Sequence, residues 1–546
     1  MGLAIEIFRF FFGLFSFCLI WALDAAAADN TECATEIVST TTGPVCGGKH
    51  RLGKDIIESF LGIPYAASTA GPQRWTTPQA RAPWDAPLKA LAFGPKCPQP
   101  ETQTKTAEDC LYLNVWRPKG DAPKDGWPVM VFIPGGDFYM GGASDPLFDG
   151  SQLATHDRII VTINYRLGAL GFLSVADLAG NYGFLDQQFA LQWVQDNIQA
   201  FGGTPDRVTI FGQSAGAMSI GLHLASAPDS RNLFQAAIME SNLLGVPFPS
   251  AQHAMTTGEL FMTMAGCDDV ACLRKLKTRT LVELTDESRV ILGKAFPGLL
   301  SVNAWTPYID GKVITHQPTE GARAGLIDKP FIIGNNSGES HFFSNMLPPK
   351  LDYASYTAWL YIMFGDDYQK ILKAYPGHNK VNNLPTVLQV FTDYIFTCGA
   401  REFAEASGDK GQVYLFSELA DFNVNSGIKI CEEEVCHNAE LPFVFGTPEA
   451  ILKDGHPAHF TPSELGLSKD IQAYWASLGQ THGIDGHGLP VWPQFSDGKA
   501  YVVFDDKPAV TREPIAQCGF WSEIGYPVGR HYSGASMHNA YSPISQ

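Results

Sequence analysis

Ser214 stands between two glycines in Gly212-Gln213-Ser214-Ala215-Gly216, the pattern G-x-S-x-G. A serine hydroxyl is a weak nucleophile until a base takes its proton and its backbone lifts it clear of its neighbours. The flanks serve the second need. The apolar run 208–211 leads in as a strand, and 217–224 leads out as a helix. A strand, a sharp turn and a helix hold a serine in a strained conformation, with glycines where side chains would collide. The helix N-terminus and the Ala215 amide then favour negative charge beside the reacting atom. The chemistry that suits these residues is acyl transfer through a covalent intermediate. A chance match is the bland alternative in a chain with 53 Gly, and the strand-turn-helix context argues against it.

The elements that must carry this turn are legible as apolar runs. Residues 129–133, 159–163, 208–211, 331–333 and 413–416 are apolar without alternation, as strands buried on both faces are. Between two of them, residues 186–200 carry Phe189, Trp193 and Ile198 at helical spacing, stopped by Gly202-Gly203. Strands alternating with helices predict an α/β fold: a large, mostly parallel sheet covered by helices on both faces. Ligands on such a sheet sit beyond the C-terminal strand ends. Composition is even from 43 to 520, without repeats or low-complexity linkers, so residues 29–546 read as one domain.

The whole chain narrows the function classes. Its 546 residues carry a formal net charge of -18 and no Lys/Arg-rich block, which excludes nucleic acid as a partner. Residues 10–23 are mostly apolar, follow Arg9, and end at Asp24 before Ala25-Ala26-Ala27-Ala28. This pattern predicts a signal peptide over 1–28 and a secreted protein without stable membrane association; an uncleaved N-terminal anchor is the alternative. Of 11 Cys, Cys18 falls in that segment, and an even set of ten in an exported chain reads as disulfides. The spacings suggest Cys33 with Cys46, Cys97 with Cys110, Cys267 with Cys272, and Cys431 with Cys436, leaving Cys398 and Cys518. No C-x-x-C pair occurs, so neither a metal nor a cofactor is expected.

Residues 192–216, with Trp193, Asn197-Ile198, Phe201-Gly202-Gly203 and Pro205, closely resemble the type-B carboxylesterase/lipase family, the cholinesterase-like branch of the α/β-hydrolases. Gly62-Ile63-Pro64-Tyr65-Ala66, the stretch 108–115 and Asn164-Tyr165-Arg166-Leu167-Gly168 agree, so the likeness spans 43–520. It implies an α/β-hydrolase fold with long insertions and a serine esterase acting on small-molecule carboxylic esters. It also implies the chain order nucleophile, acid, histidine. Among 14 His, the resemblance selects His437, in Cys436-His437-Asn438-Ala439-Glu440-Leu441-Pro442. His456, His459, His482 and His487 lie among glycines and prolines and read as surface loop residues. The acid implied is Glu339, in Gly334-Asn335-Asn336-Ser337-Gly338-Glu339-Ser340, where Ser340 replaces the family's last glycine. His437 would take the Ser214 proton while Glu339 orients its ring.

Two departures from the family pattern stand out. The implied oxyanion-hole donors are the backbone N–H groups of Gly136, Asp137 and Ala215, and Asp137 occupies a place where the family carries glycine. An ionised carboxylate turned inward would repel the developing oxyanion. It could instead position the deacylating water, narrow the acyl space, or be turned aside and bonded elsewhere. Gln213 replaces a glutamate common in the family, which lowers the attraction for cationic substrates. Between Cys97 and Cys110 lie only 12 residues, none aromatic and none a large aliphatic, so this loop supplies neither cation–π capture nor an interfacial lid. Phe138, Tyr139, Phe342 and Phe343 could line the pocket or belong to the core. A Cys431–Cys436 link would clip the histidine loop. The rival readings are an interfacial lipase and a non-catalytic adhesion relative. The short polar loop opposes the first, and Ser214, Glu339 and His437 together oppose the second.

Overall fold

The computed structural model describes residues 32–100, 105–176, 178–295, 304–478, 488–514 and 517–525. The expected signal peptide, Cys18, His482 and His487 lie outside the described residues, as do residues 101–104 of the short polar loop. Eleven strands form the main sheet: β1 (Gly48–Leu52), β2 (Asp55–Pro64), β3 (Tyr112–Pro118), β4 (Trp127–Ile133), β5 (Ile159–Ile163), β6 (Gly203–Gln213), β7 (Ala236–Glu240), β8 (Phe331–Asn336), β9 (Gly411–Phe416), β10 (Tyr501–Phe504) and β11 (Ala509–Thr511). In space the order is β11-β10-β9-β8-β7-β6-β4-β5-β3-β2-β1. From β10 across to β5 every neighbour is parallel. Both margins are antiparallel.

The apolar runs form strands because each face has a layer to fill. Val129, Val131 and Ile133 of β4 enter one core, with Val208 and Ile210 of β6. Met130 and Phe132 enter the other, with Phe211. Helix α1 (Tyr182–Asn197) and helix α2 (Ala215–Ala225) cover the first face through Leu191, Val194, Ile220 and Leu222. Helices α4 (Leu441–Phe445) and α5 (Pro462–Ser477) cover the second through Phe443, Leu467 and Trp475. A further helix, α3 (Thr278–Ala295), packs outside the sheet, with Leu281 in a satellite cluster beside Trp75 and Phe261.

Helix α1 differs from the helix read over 186–200. It starts four residues earlier, at Tyr182, and Ile198–Phe201 tightens into a 3-10 turn. Asn197 ends it: its side-chain amide donates to the Trp193 carbonyl at 2.8 Å, and its oxygen accepts from the Thr41 amide at 2.6 Å. Gly202 then takes a left-handed φ of 84°.

The chain runs from β4 outward to β5, then crosses back over β4 to β6. The loops after β4 and β6 therefore meet at the reversal of strand order, where open α/β sheets hold ligands. At the top of β4, Phe132 meets the rings of Phe148, Phe211 and Phe445 at 4.7, 5.0 and 4.9 Å. Phe132→Ala is expected to lower stability by about 3–5 kcal/mol in urea unfolding. A loss below about 1 kcal/mol would show that this layer is not close-packed.

Candidate active site

Ser214 ends β6 and caps α2 at φ 57° and ψ -123°, outside the regions open to L-residues at low cost. The Ile133 carbonyl enforces the glycines around it. A Cβ at position 212 would stand 2.6 Å from that oxygen, and one at 216 would stand 1.9 Å from it. The Ser214 amide donates to the Glu240 carbonyl at 2.9 Å, and Met218 N–H returns to the Ser214 carbonyl at 2.8 Å. The strain is thus held from both sides of the turn.

Glu339 follows β8 and is fully buried. Its Oε2 lies 2.5 Å from His437 Nδ1, and its Oε1 accepts from the Asn336 amide at 2.7 Å. A proton on Nδ1 toward Glu339 leaves the Nε2 lone pair open. The Gln213 side-chain nitrogen lies 3.1 Å from Nε2 and 3.5 Å from Nδ1, beside the ring and off the line of that lone pair. The residue before Ser214 therefore touches the imidazole and brings the ring to the serine turn. Phe342, Phe343 and Phe396 surround the ring at 5.7, 6.0 and 5.6 Å between centroids. The His437 loop is tied by Asn425, which donates to the His437 carbonyl at 2.7 Å, and by the Cys431–Cys436 disulfide.

Two further carboxyls lie behind this pair. Glu440 accepts from Asn336 Nδ2 at 2.5 Å and from the Ser241 hydroxyl at 3.0 Å. Burial, with repulsion from Glu339, pushes it up to about 7. Glu240 accepts from the Trp475 indole at 2.5 Å, while its Oε2 finds no partner among the described residues. Burial and the nearby Glu440 push Glu240 up to about 8. Desolvation disfavours ionisation, and one anion in the cluster opposes the next.

The loop after β4 packs on the serine turn. A Cβ on Gly135 would fall 2.6 Å from the Gln213 carbonyl, and one on Gly136 would fall 2.2 Å from that of Met140. The Tyr165 hydroxyl donates to the Pro134 carbonyl at 2.9 Å, and Gly168 N–H donates to that of Phe138 at 2.8 Å. Gln99 binds both backbone groups of Gly141 at 2.9 Å, so the short polar loop braces this one. Asp137 and Phe138 both take left-handed φ angles, 56° and 54°. The Asp137 carboxylate pairs with Arg289 of α3 at 3.0 Å. Burial pushes that carboxyl up to about 7, while Arg289 pulls it down. The side chain keeps 29% of its surface open, and that residual hydration favours the ionised form.

Other sequence candidates fall elsewhere. His223 is buried against Phe184, bonded to Ser230 and Gln187, and burial pushes it down to about 3. His456 and His459 are exposed. Phe138 is core, packed on Phe172, and the Tyr139 hydroxyl donates to Asp286 at 2.5 Å. Asn335, in a glycosylation sequon, is fully buried. The remaining disulfides join Cys33 to Cys46, Cys97 to Cys110, Cys267 to Cys272 and Cys398 to Cys518. Among the described residues, no cluster of His, Cys, Asp or Glu is suited to a metal ion, and no helix is long and apolar enough to cross a membrane.

Sheet order and the serine turn at the strand reversal define an α/β-hydrolase. Comparison with known proteins places it further. The carboxylesterase family profile matches residues 34–521. The para-nitrobenzyl esterase of Bacillus subtilis (strain 168) is 32% identical, over 88% of this chain and 97% of its own. Human cocaine esterase is 32% identical, over 90% and 92%. Among solved structures, a Geobacillus stearothermophilus carboxylesterase superposes with a TM-score of 0.76 at 30% identity, covering 89% of this chain and 99% of its own. The chain belongs to the carboxylesterase family, and its reaction class is the hydrolysis of carboxylic esters.

Sequence reasoning missed the contacts of Gln213, Glu240, Glu440 and Arg289. Glu440 was within reach, three residues after His437 in the histidine loop. Glu240 and Arg289 carry no local motif. A carboxyl with a raised pKa binds protons more tightly folded than unfolded. Stability then falls as pH rises from the usual 4.5 of Glu240 through about 8. Wild type should therefore lose more Tm than Glu240→Gln between pH 5 and pH 8. Parallel Tm profiles for the two proteins would remove Glu240 from the buried acid cluster.

Proposed function

We propose that the protein is an exported serine esterase that works through an acyl-enzyme on Ser214. His437 Nε2 takes the hydroxyl proton as Ser214 Oγ bonds to the ester carbonyl carbon. The amides of Gly136, Asp137 and Ala215 receive the charge on the carbonyl oxygen. The carbon–oxygen bond to the leaving alcohol breaks, and His437 returns its proton to that alcohol. Water, deprotonated by His437, then releases the acid and restores Ser214. Glu339 holds the ring and favours the imidazolium. The observation that carries this reading is the 2.5 Å contact of Glu339 with His437 Nδ1, with the ring against Gln213 of the serine turn.

Export is supported by five disulfides and by the leader-like residues 1–28, with 29–546 as one domain. The loop between Cys97 and Cys110, without aromatic or large aliphatic residues, favours soluble esters of modest size over an interfacial lipid. A panel of p-nitrophenyl esters of rising chain length tests both points. Ser214→Ala should lose at least about 10⁴-fold in kcat. Activity surviving in that variant removes Ser214 as nucleophile. Preference for long chains with activation by emulsion supports the lipase instead.

Gln213 sets its side-chain amide against the imidazole that must receive the serine proton. Gln213→Glu replaces that donor with an anion, which favours the charged imidazolium. The acid limb of the kcat/KM profile should move to higher pH. An unmoved limb would show that residue 213 does not touch the working base.

A further inference from the structure

We propose that Arg289 is a positioning residue for the oxyanion loop, holding the Asp137 carboxylate away from the point where the ester carbonyl oxygen gathers charge. The proposal rests on the acyl-enzyme reading above and deepens it.

Asp137 contributes both an amide and a carboxylate near the candidate oxyanion position. Gly136 before it must be glycine, since a Cβ would strike the Met140 carbonyl at 2.2 Å. Asp137 itself holds a left-handed φ of 56°, which aspartate tolerates better than most residues. The backbone can therefore present the amide despite the side chain. The hazard is the carboxylate: an anion close to a developing anion raises the barrier.

Arg289 meets that hazard with a geometry fixed from three directions. Its Nη2 lies 3.0 Å from Asp137 Oδ2. Its guanidinium carbon sits 3.9 Å over the Tyr139 ring, where a planar cation is favoured. Its Nη1 stands 3.8 Å from Asp286 Oδ1, which also accepts from the Tyr139 hydroxyl at 2.5 Å. Tyr139 belongs to the oxyanion loop and Asp286 to α3, so the four side chains clasp loop and helix together. The helix is anchored independently of them. Thr278, at its first turn, bonds to Glu108, which is paired with Arg74 at 2.5 Å in the interior. Arg289 lies about three turns further along the same helix.

The clasp also places a cation on the loop after β4. Arg289 keeps 24% of its side-chain surface open and Asp137 29%, so the pair is not sealed in the core. A structural tie alone and a charge-positioning role differ in one respect. If Arg289 only fastens α3, removing it harms the enzyme whatever stands at 137. If it controls the Asp137 charge, the harm requires that charge.

The test is a double-mutant cycle on the full chain, with p-nitrophenyl acetate as substrate. At pH 9, where Asp137 without its partner still ionises, Arg289→Gln should lower kcat by about 10- to 100-fold with little change in KM, and Arg289→Lys should lower it less. Introduced together with Asp137→Asn, Arg289→Gln should cost less than about 3-fold relative to Asp137→Asn alone. Equal losses in the two backgrounds make Arg289 a structural tie and overturn the proposal, as does full turnover in Arg289→Gln. Arg289→Lys carries the same comparison if the glutamine variant fails to fold. Labelling of wild-type Ser214 by a fluorophosphonate separates the two levels. Wild type that neither turns over ester nor labels defeats the acyl-enzyme reading itself. With an active, labelled wild type, the cycle alone decides the role of Arg289.

Discussion

The carbonyl oxygen of Ile133 leaves no room for a side chain at 212 or at 216. That exclusion follows from two parallel strands, β4 and β6, paired to the last residue of β4, with Ile133 opposite Gly212. Because the strands stay in contact to the end, the loops that leave them must also touch. Gly135 packs on the Gln213 carbonyl for the same reason. The serine turn and the glycine loop are therefore one rigid corner with a single set of distances. Everything around the corner keeps it closed: Tyr165 on Pro134, Gln99 on Gly141, and the buried Arg166–Asp186 pair at 2.7 Å at the start of the next segment.

Electrostatics differ on the two sides of the imidazole. Toward the serine, the neighbour is a neutral amide. Behind the ring, three carboxyls share a buried space through Asn336, which gives its backbone amide to Glu339 and its side chain to Glu440. At an effective dielectric near 20, two charges about 4 Å apart repel by about 4 kcal/mol. Burial disfavours ionisation of Glu240 and Glu440, and repulsion of this kind adds to it, so both are pushed up while Glu339 keeps His437 as its partner. A cluster of this kind holds the ring in place with hydrogen bonds and limits the net charge behind it.

Most of the sheet and the serine corner were legible because the interactions there are local. An apolar run bounded by Pro134-Gly135-Gly136 or by Gly212 encodes its own strand and turn. Sequence proximity carried the glycines, Ser214 and the clip beside His437. Long-range partners were not legible from residue type alone. Arg289 meets Asp137 across 152 positions, and Glu240 meets Trp475 across 235. No pattern at either end announces the other, and the fold alone joins them. Glu339 and His437, 98 positions apart, were readable only through the family likeness. The helix boundary at Asn197 was missed for a related reason, since a side chain reaching back to Trp193 and across to Thr41 ends it.

Cys398 and Cys518 are joined across 120 positions, and Cys398 directly follows the π-helical turn Thr392–Thr397 that sets Phe396 against His437. During synthesis the first cysteine leaves the ribosome long before the second. At about 5–20 residues per second, it waits about 6–24 seconds as a thiol. In that interval Cys431 and Cys436, the neighbouring pair, are also emerging. The early thiol must be kept from joining the wrong partner until the last described helix, Cys518–Ile524, arrives to claim it.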